Sequence, residues 1–128
     1  KAKPISGLSA LASAAVPPLG AVVLLYDKVI VLLQRASLAA EQRRPQESFL
    51  QVSEATTILR GLSHALDFEH GGKLAERLRD TYTRTIFAVL SSYGKPDMPA
   101  RCRCVAAGLA ELRDAWADIA RRPQNTGS

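Results

Sequence analysis

Residues 17–33 read Pro-Pro-Leu-Gly-Ala-Val-Val-Leu-Leu-Tyr-Asp-Lys-Val-Ile-Val-Leu-Leu. The run is too apolar for a helix that buries a single face, and Asp27 and Lys28 at its middle would cost several kcal/mol in a bilayer. Two stripes follow helical spacing: Leu19, Val23, Tyr26, Ile30 and Leu33, and beside them Val22, Leu25, Val29, Leu32 and Ala36. One stripe supplies a core. The other needs a second internal layer or a partner, because a helix apolar over most of its circumference is either central in its domain or carries a binding groove.

The rest of the chain extends the helical pattern. Pro45 opens a segment expected to run to Glu69 and to stop at Gly71 and Gly72. A further helix is expected over Lys73–Tyr93, with Leu74, Leu78, Tyr82, Ile86 and Leu90 as its apolar line and Gly94 and Pro96 closing it. Asp97 suits a cap and Pro99 a first turn, after which Met98, Cys102, Val105, Leu109, Leu112, Trp116 and Ile119 alternate steps of four and three, the spacing of a bundle seam. No segment alternates with period two. Four long helices with short connections give an all-α, antiparallel four-helix bundle over residues 17–122. Residues 1–16 are expected as a flexible or short helical lid segment, and residues 123–128 as a disordered tail.

At 128 residues the chain is read as one domain able to bury its own core. Its net charge of +5 raises the question of nucleic acid. Acidic residues lie about a turn from many of the basic ones, as in Glu76 with Arg79 and Asp80 with Arg84, which is the pattern of a solvated face. With no aromatic interleaving or docking motif, nucleic-acid binding and membrane insertion are not expected. Cys102 and Cys104 point to nearly opposite sides of a helix, so they read as two free thiols, buried or half-buried, and not as a disulfide or metal site. Free thiols and the lack of a signal peptide favour a cytoplasmic location.

No catalytic constellation is evident, and neither a cofactor nor a metal site is expected. Asp67, Glu69 and Asp80 have no ligand spacing, Gly71 and Gly72 lack phosphate-loop spacing, and His64 lacks the Lys and Gly setting of phosphotransfer bundles. The partner-facing surface is placed on Val22, Leu25, Tyr26, Val29 and Leu32, opposite Ile58, Leu62 and Ala65. For each of these the other reading is core packing. Trp116 is placed in the core.

Three stretches then carry a likeness: Leu24, Leu25, Tyr26, Asp27 and Ile30; Leu66 to Ala75 across the next junction; and Leu112, Arg113, Asp114, Ala115 and Trp116. In this order and separation they resemble the flagellin-specific export chaperones of the FliS family. Residues 1–16 depart from that pattern by lacking its Tyr-bearing opening, and Val16 stands where a Ser or Thr is usual. The resemblance implies a non-enzymatic cytosolic bundle that binds the C-terminal segment of flagellin and prevents premature polymerisation. It would then deliver its client to the flagellar type III export gate, acting as a monomer or weak dimer. A structural or dimerising bundle is the alternative, its spare stripe met by a second copy.

Overall fold

The computed structural model describes residues 18–121. The expectations for residues 1–16 and 123–128 lie outside the described residues. Four helices follow in order: α1 (Pro18–Glu41), α2 (Pro45–His64), α3 (Phe68–Ser92) and α4 (Met98–Arg121). Among the described residues there is no strand.

Cross-helix bonds set the register. Ser48 donates to the Ala36 carbonyl at 3.0 Å and Lys28 pairs with Glu54 at 3.5 Å, so α2 returns antiparallel along α1. On the other flank Ser37 donates to the Pro99 carbonyl at 3.0 Å and Arg113 donates to Asp27 at 2.7 Å, which runs α4 antiparallel to α1. Tyr93 donates to the Pro45 carbonyl at 2.8 Å and ties the end of α3 to the start of α2. Helix α1 is therefore the shared element, packed chiefly between α2 and α4, with α3 across the bundle from it and less extensively packed.

Most of both sequence stripes of α1 turns inward, with Leu19 and Ile30 half-buried and Leu25 exposed. Val22, Val23, Tyr26, Val29, Leu32, Leu33 and Ala36 are all buried, and they meet Val52, Ala55, Leu59, Leu62, Leu78, Tyr82, Val89, Met98, Cys102 and Leu109 in one core. A helix with neighbours on both flanks and another diagonally opposite is covered over much of its circumference, so one interior takes most of both stripes. Trp116 packs against this core and is half-buried.

Two local expectations are corrected. Gly71 and Gly72 do not end α2, which stops at His64; Asp67 starts α3 instead, its carboxylate accepting from the N–H groups of Glu69 at 3.0 Å and His70 at 3.2 Å. Gly72, at φ 50° and ψ −127°, then breaks α3 internally, a conformation open to glycine and strained for other residues. Cys104 is exposed, against the buried or half-buried expectation, while Cys102 is buried and its thiol is pushed up to about 11 by burial. The α4 seam is buried at Met98, Cys102 and Leu109, half-buried at Val105, Leu112 and Trp116, and exposed at Ile119, where it runs out of the core.

A candidate partner-binding surface

The eight residues expected to face a partner divide by burial. Val22, Tyr26, Val29, Leu32 and Leu62 are enclosed in the core, so in the free chain they are not surface. For these five the interior takes up the side chains, as the core-packing reading has it. Ile58 and Ala65 are half-buried, and Leu25 is 39% exposed. Because α1 and α2 run antiparallel and Lys28 pairs with Glu54, the turn of Leu25 lies beside the turn of Ile58. Leu25 and Ile58 thus stand at the same level of the α1–α2 pair.

The surplus of apolar side chains survives on another line. Leu24 is 69% exposed, Val31 40% and Leu38 52%. Steps of seven place them on one line along α1, diametrically opposite the buried face. Lys28 and Arg35 alternate with them on the same face; Lys28 is tied to Glu54, and Arg35 has no ion pair among the described residues. The result is a stripe of separated apolar knobs between cations, with exposed Leu25 next to Leu24 in sequence. Sequence reading missed it because neither inward stripe includes these residues, yet their seven-residue period is plain in the chain.

Helix α3 repeats the lesson. Leu74, Leu78, Tyr82, Ile86 and Leu90 are each four residues apart, and every such step turns the helix by about 40° beyond a full revolution. Only Leu78 and Tyr82 are buried, and Leu74 and Leu90 end up exposed. The line that is buried runs Ala75, Leu78, Tyr82, Val89 and Ser92.

The polar groups inside serve the fold. The hydroxyl oxygens of Tyr26 and Tyr82 lie 2.5 Å apart, both rings are buried, and they meet edge to face with centroids 6.3 Å apart. Tyr26 therefore turns inward to an internal partner. Burial is the main cause raising the pKa of both phenols. The indole N–H of Trp116 acts on the Tyr26 hydroxyl without reaching hydrogen-bond geometry and is otherwise buried and unpaired. Asp67, Glu69 and His70 bring ligand atoms within 4.8 Å of one another. Capping of α3 accounts for that cluster: Asp67 binds two N–H groups, and its second oxygen lies 2.5 Å from Nδ1 of His70, a hydrogen bond that raises the imidazole pKa. His64, the last residue of α2, is exposed.

Arg113 and Asp27 join α4 to α1 at the middle of the bundle. Nε and a terminal nitrogen of the guanidinium reach the two carboxylate oxygens at 2.7 and 3.4 Å, and this hydrogen bonding raises the Arg113 pKa. The charged pair that bars residues 17–33 from a bilayer is thus put to use: Asp27 clamps α4 and Lys28 clamps α2. No described helix is long and apolar enough to cross a membrane.

A closed helical interior, an apolar line left on the outside and internal polar groups committed to structure define a class: a small all-α bundle with no catalytic cluster among the described residues. The family described as flagellar protein FliS matches residues 9–123, and the chain belongs to that family. No curated protein matches the chain.

Proposed function

We propose that the chain is a cytosolic flagellar export chaperone that binds the C-terminal segment of flagellin, keeps it from polymerising early and hands it to the type III export gate without catalysis. Membership of the FliS family supports the flagellar role. The observation that carries the binding reading is the outward line of Leu24, Val31 and Leu38, which no described part of the fold covers. An amphipathic client helix laid along α1 would bury these knobs, with Leu25, Ile58 and Ala65 at its edge and Val22, Tyr26, Val29, Leu32 and Leu62 as the rigid layer beneath. Apolar burial returns about 25 cal/mol per Å² and must offset the ordering of a disordered client, so the client has to wrap a long path and not a single pocket.

The test is calorimetry of the full chain with a flagellin C-terminal peptide. The double substitution Leu24→Asp with Val31→Asp is expected to weaken binding more than tenfold while circular dichroism shows unchanged helicity. Unchanged affinity in a folded double variant refutes this surface. A permanent dimer by sedimentation that ignores the peptide refutes the chaperone reading in favour of self-association.

A further inference from the structure

At the end of the bundle where α1 passes into α2 and α3 into α4, the two connections enclose a cleft of about 610 Å³. Its lining is largely apolar, with Ala40, Pro45, Tyr93, Met98 and Pro99, and its charged lining residues are Arg43, Lys95 and Glu41, the last paired with Arg103. A second recess of about 460 Å³, lined by Pro45, Gln46, Phe49, Leu50 and Tyr93, shares Pro45 and Tyr93 with the first. The two form one trough. Phe49 meets Tyr93 edge to face at 5.7 Å yet stays half exposed, as does Leu50.

Charge at this end is unbalanced in a specific way. Glu41 is held by Arg103 at 2.8 Å, Glu47 by Arg44 at 3.7 Å and Asp97 by Arg101 at 3.1 Å. Each of these carboxylates has its cation. Arg43 and Lys95 are exposed, line the cleft and have no ion pair among the described residues. Arg43 also occupies a position that suits glycine. Its φ is 61°, at the second residue past α1, where the Arg43 N–H bonds to Ala40 O at 3.1 Å and the Arg44 N–H to Ala39 O at 2.8 Å. A side chain in this left-handed conformation costs about 1 kcal/mol relative to glycine. The fold gains nothing from the arginine there.

We propose that this trough docks a short acidic and apolar peptide segment of a partner protein, with a carboxylate set against Arg43 and Lys95 and leucine or aromatic side chains on Tyr93, Met98 and Phe49. Charge complementarity selects the occupant. Residues 1–17 and 122–128 contain no Asp or Glu side chain to set against these cations. The described helix ends Pro18 and Arg121 lie at the opposite end of the bundle, since α1 and α4 are 24 residues long and each spans about 36 Å. Two unpaired cations over an apolar floor are too few for a nucleic-acid backbone, whose binding rests on many phosphate contacts. The site stands apart from the proposed flagellin surface, because Leu24, Val31 and Leu38 do not line it.

The experiment uses the full chain and a fluorescein-labelled, C-terminally amidated peptide in which one aspartate is flanked by leucines and a phenylalanine, beside a twin with asparagine in its place. Fluorescence anisotropy at low salt is expected to show the acidic peptide binding at least tenfold tighter than its twin. Arg43→Gly and Lys95→Ala are each expected to weaken it about fivefold, and Val31→Asp to leave it unchanged. Arg43→Gly is expected to raise Tm in the same preparation, which separates lost binding from lost structure. Equal binding of the two peptides, or full affinity in both cation variants, overturns the proposal. So does a single-stranded DNA oligonucleotide that binds tighter than the peptide and loses affinity in the same variants. Self-association that Arg43→Gly abolishes would give the trough to a second copy and overturn it equally.

Discussion

Val29 and Val31 are two residues apart on α1 and face opposite ways: Val29 is 1% exposed and Val31 40%. An aspartate at each position asks which side of the helix is structural. At Val31 the carboxylate stays in water, and the expected change in stability is within about 0.5 kcal/mol. At Val29 the new side chain sits among Val22, Tyr26 and Leu33 with no cation in the core to pair with. It would take up a proton instead of burying its charge. Neutralising a carboxyl of ordinary pKa at pH 7 costs about 4 kcal/mol, and losing the valine contacts adds about 1 to 2 kcal/mol. A domain of this kind has about 5 to 15 kcal/mol in total, so Val29→Asp is expected to be marginal or unfolded at pH 7. The sign with pH follows from the raised pKa of the buried acid. Between its unfolded and folded values the native state holds a proton that the unfolded state has lost, so stability rises as pH falls. Each unit below pH 7 returns about 1.4 kcal/mol until the unfolded pKa near 4 is reached. Urea denaturation followed by circular dichroism at pH 7, 6 and 5 reads this directly. A Val29→Asp chain as stable as the parent at pH 7, or one with no recovery toward pH 5, refutes the assignment of this face to the core.

Other outcomes follow from the same packing. Tyr26→Phe and Tyr82→Phe each strand a buried hydroxyl and are expected to cost about 1 to 3 kcal/mol, while the double variant costs less than the sum; additive costs in urea melts would show that the two hydroxyls are not coupled. Burial holds both phenols protonated above their ordinary pKa of 10.0, so the native state keeps protons that the unfolded chain loses, and stability is expected to fall as pH rises beyond 10. Absence of that fall in the parent, or its persistence in the double Phe variant, refutes the cause. Gly72→Ala places a Cβ at φ 50° and ψ −127° and is expected to lower stability by about 1 to 3 kcal/mol, whereas Gly61→Ala, in α2 with open space at its Cβ, is expected to be neutral or stabilising. Thermal melts of the two variants compare them. In the folded chain Cys104 is expected to react with a thiol reagent far faster than Cys102, and equal rates would contradict the burial of Cys102.

The helix boundaries that the sequence conveys are those written in local chemistry. Pro45, Pro99 and Gly94 act within one turn of themselves, and the structure keeps each where local reading places it. The α2–α3 junction was less legible because two signals compete there. A glycine pair reads as a stop, but Asp67 caps α3 before the pair is reached, and Gly72 is left to bend a helix already begun. The surface was harder still. Apolarity marks Val29 and Val31 alike, and only the positions of α2 and α4 decide that one is covered and the other is not. Tyr26 gives no local sign of Tyr82, 56 residues away. What was available, and overlooked, is the period of seven in Leu24, Val31 and Leu38.

That period also sets how the exposed apolar side chains are spaced. Residues seven apart on a helix lie about 10 Å from one another along its axis, and here the space between them holds Lys28 and Arg35. The knobs therefore never merge into one wide patch of the kind that makes a protein self-associate. A second copy of this helix laid against the first would set cation against cation, which disfavours pairing of like with like. A client that offers apolar residues in register with acidic ones between them meets both demands at once. The same logic governs the trough at the far end, where Arg43 and Lys95 flank apolar walls. On the proposed reading, the cationic side chains in each place would disfavour pairing of two copies and favour apolar partner segments that carry acid.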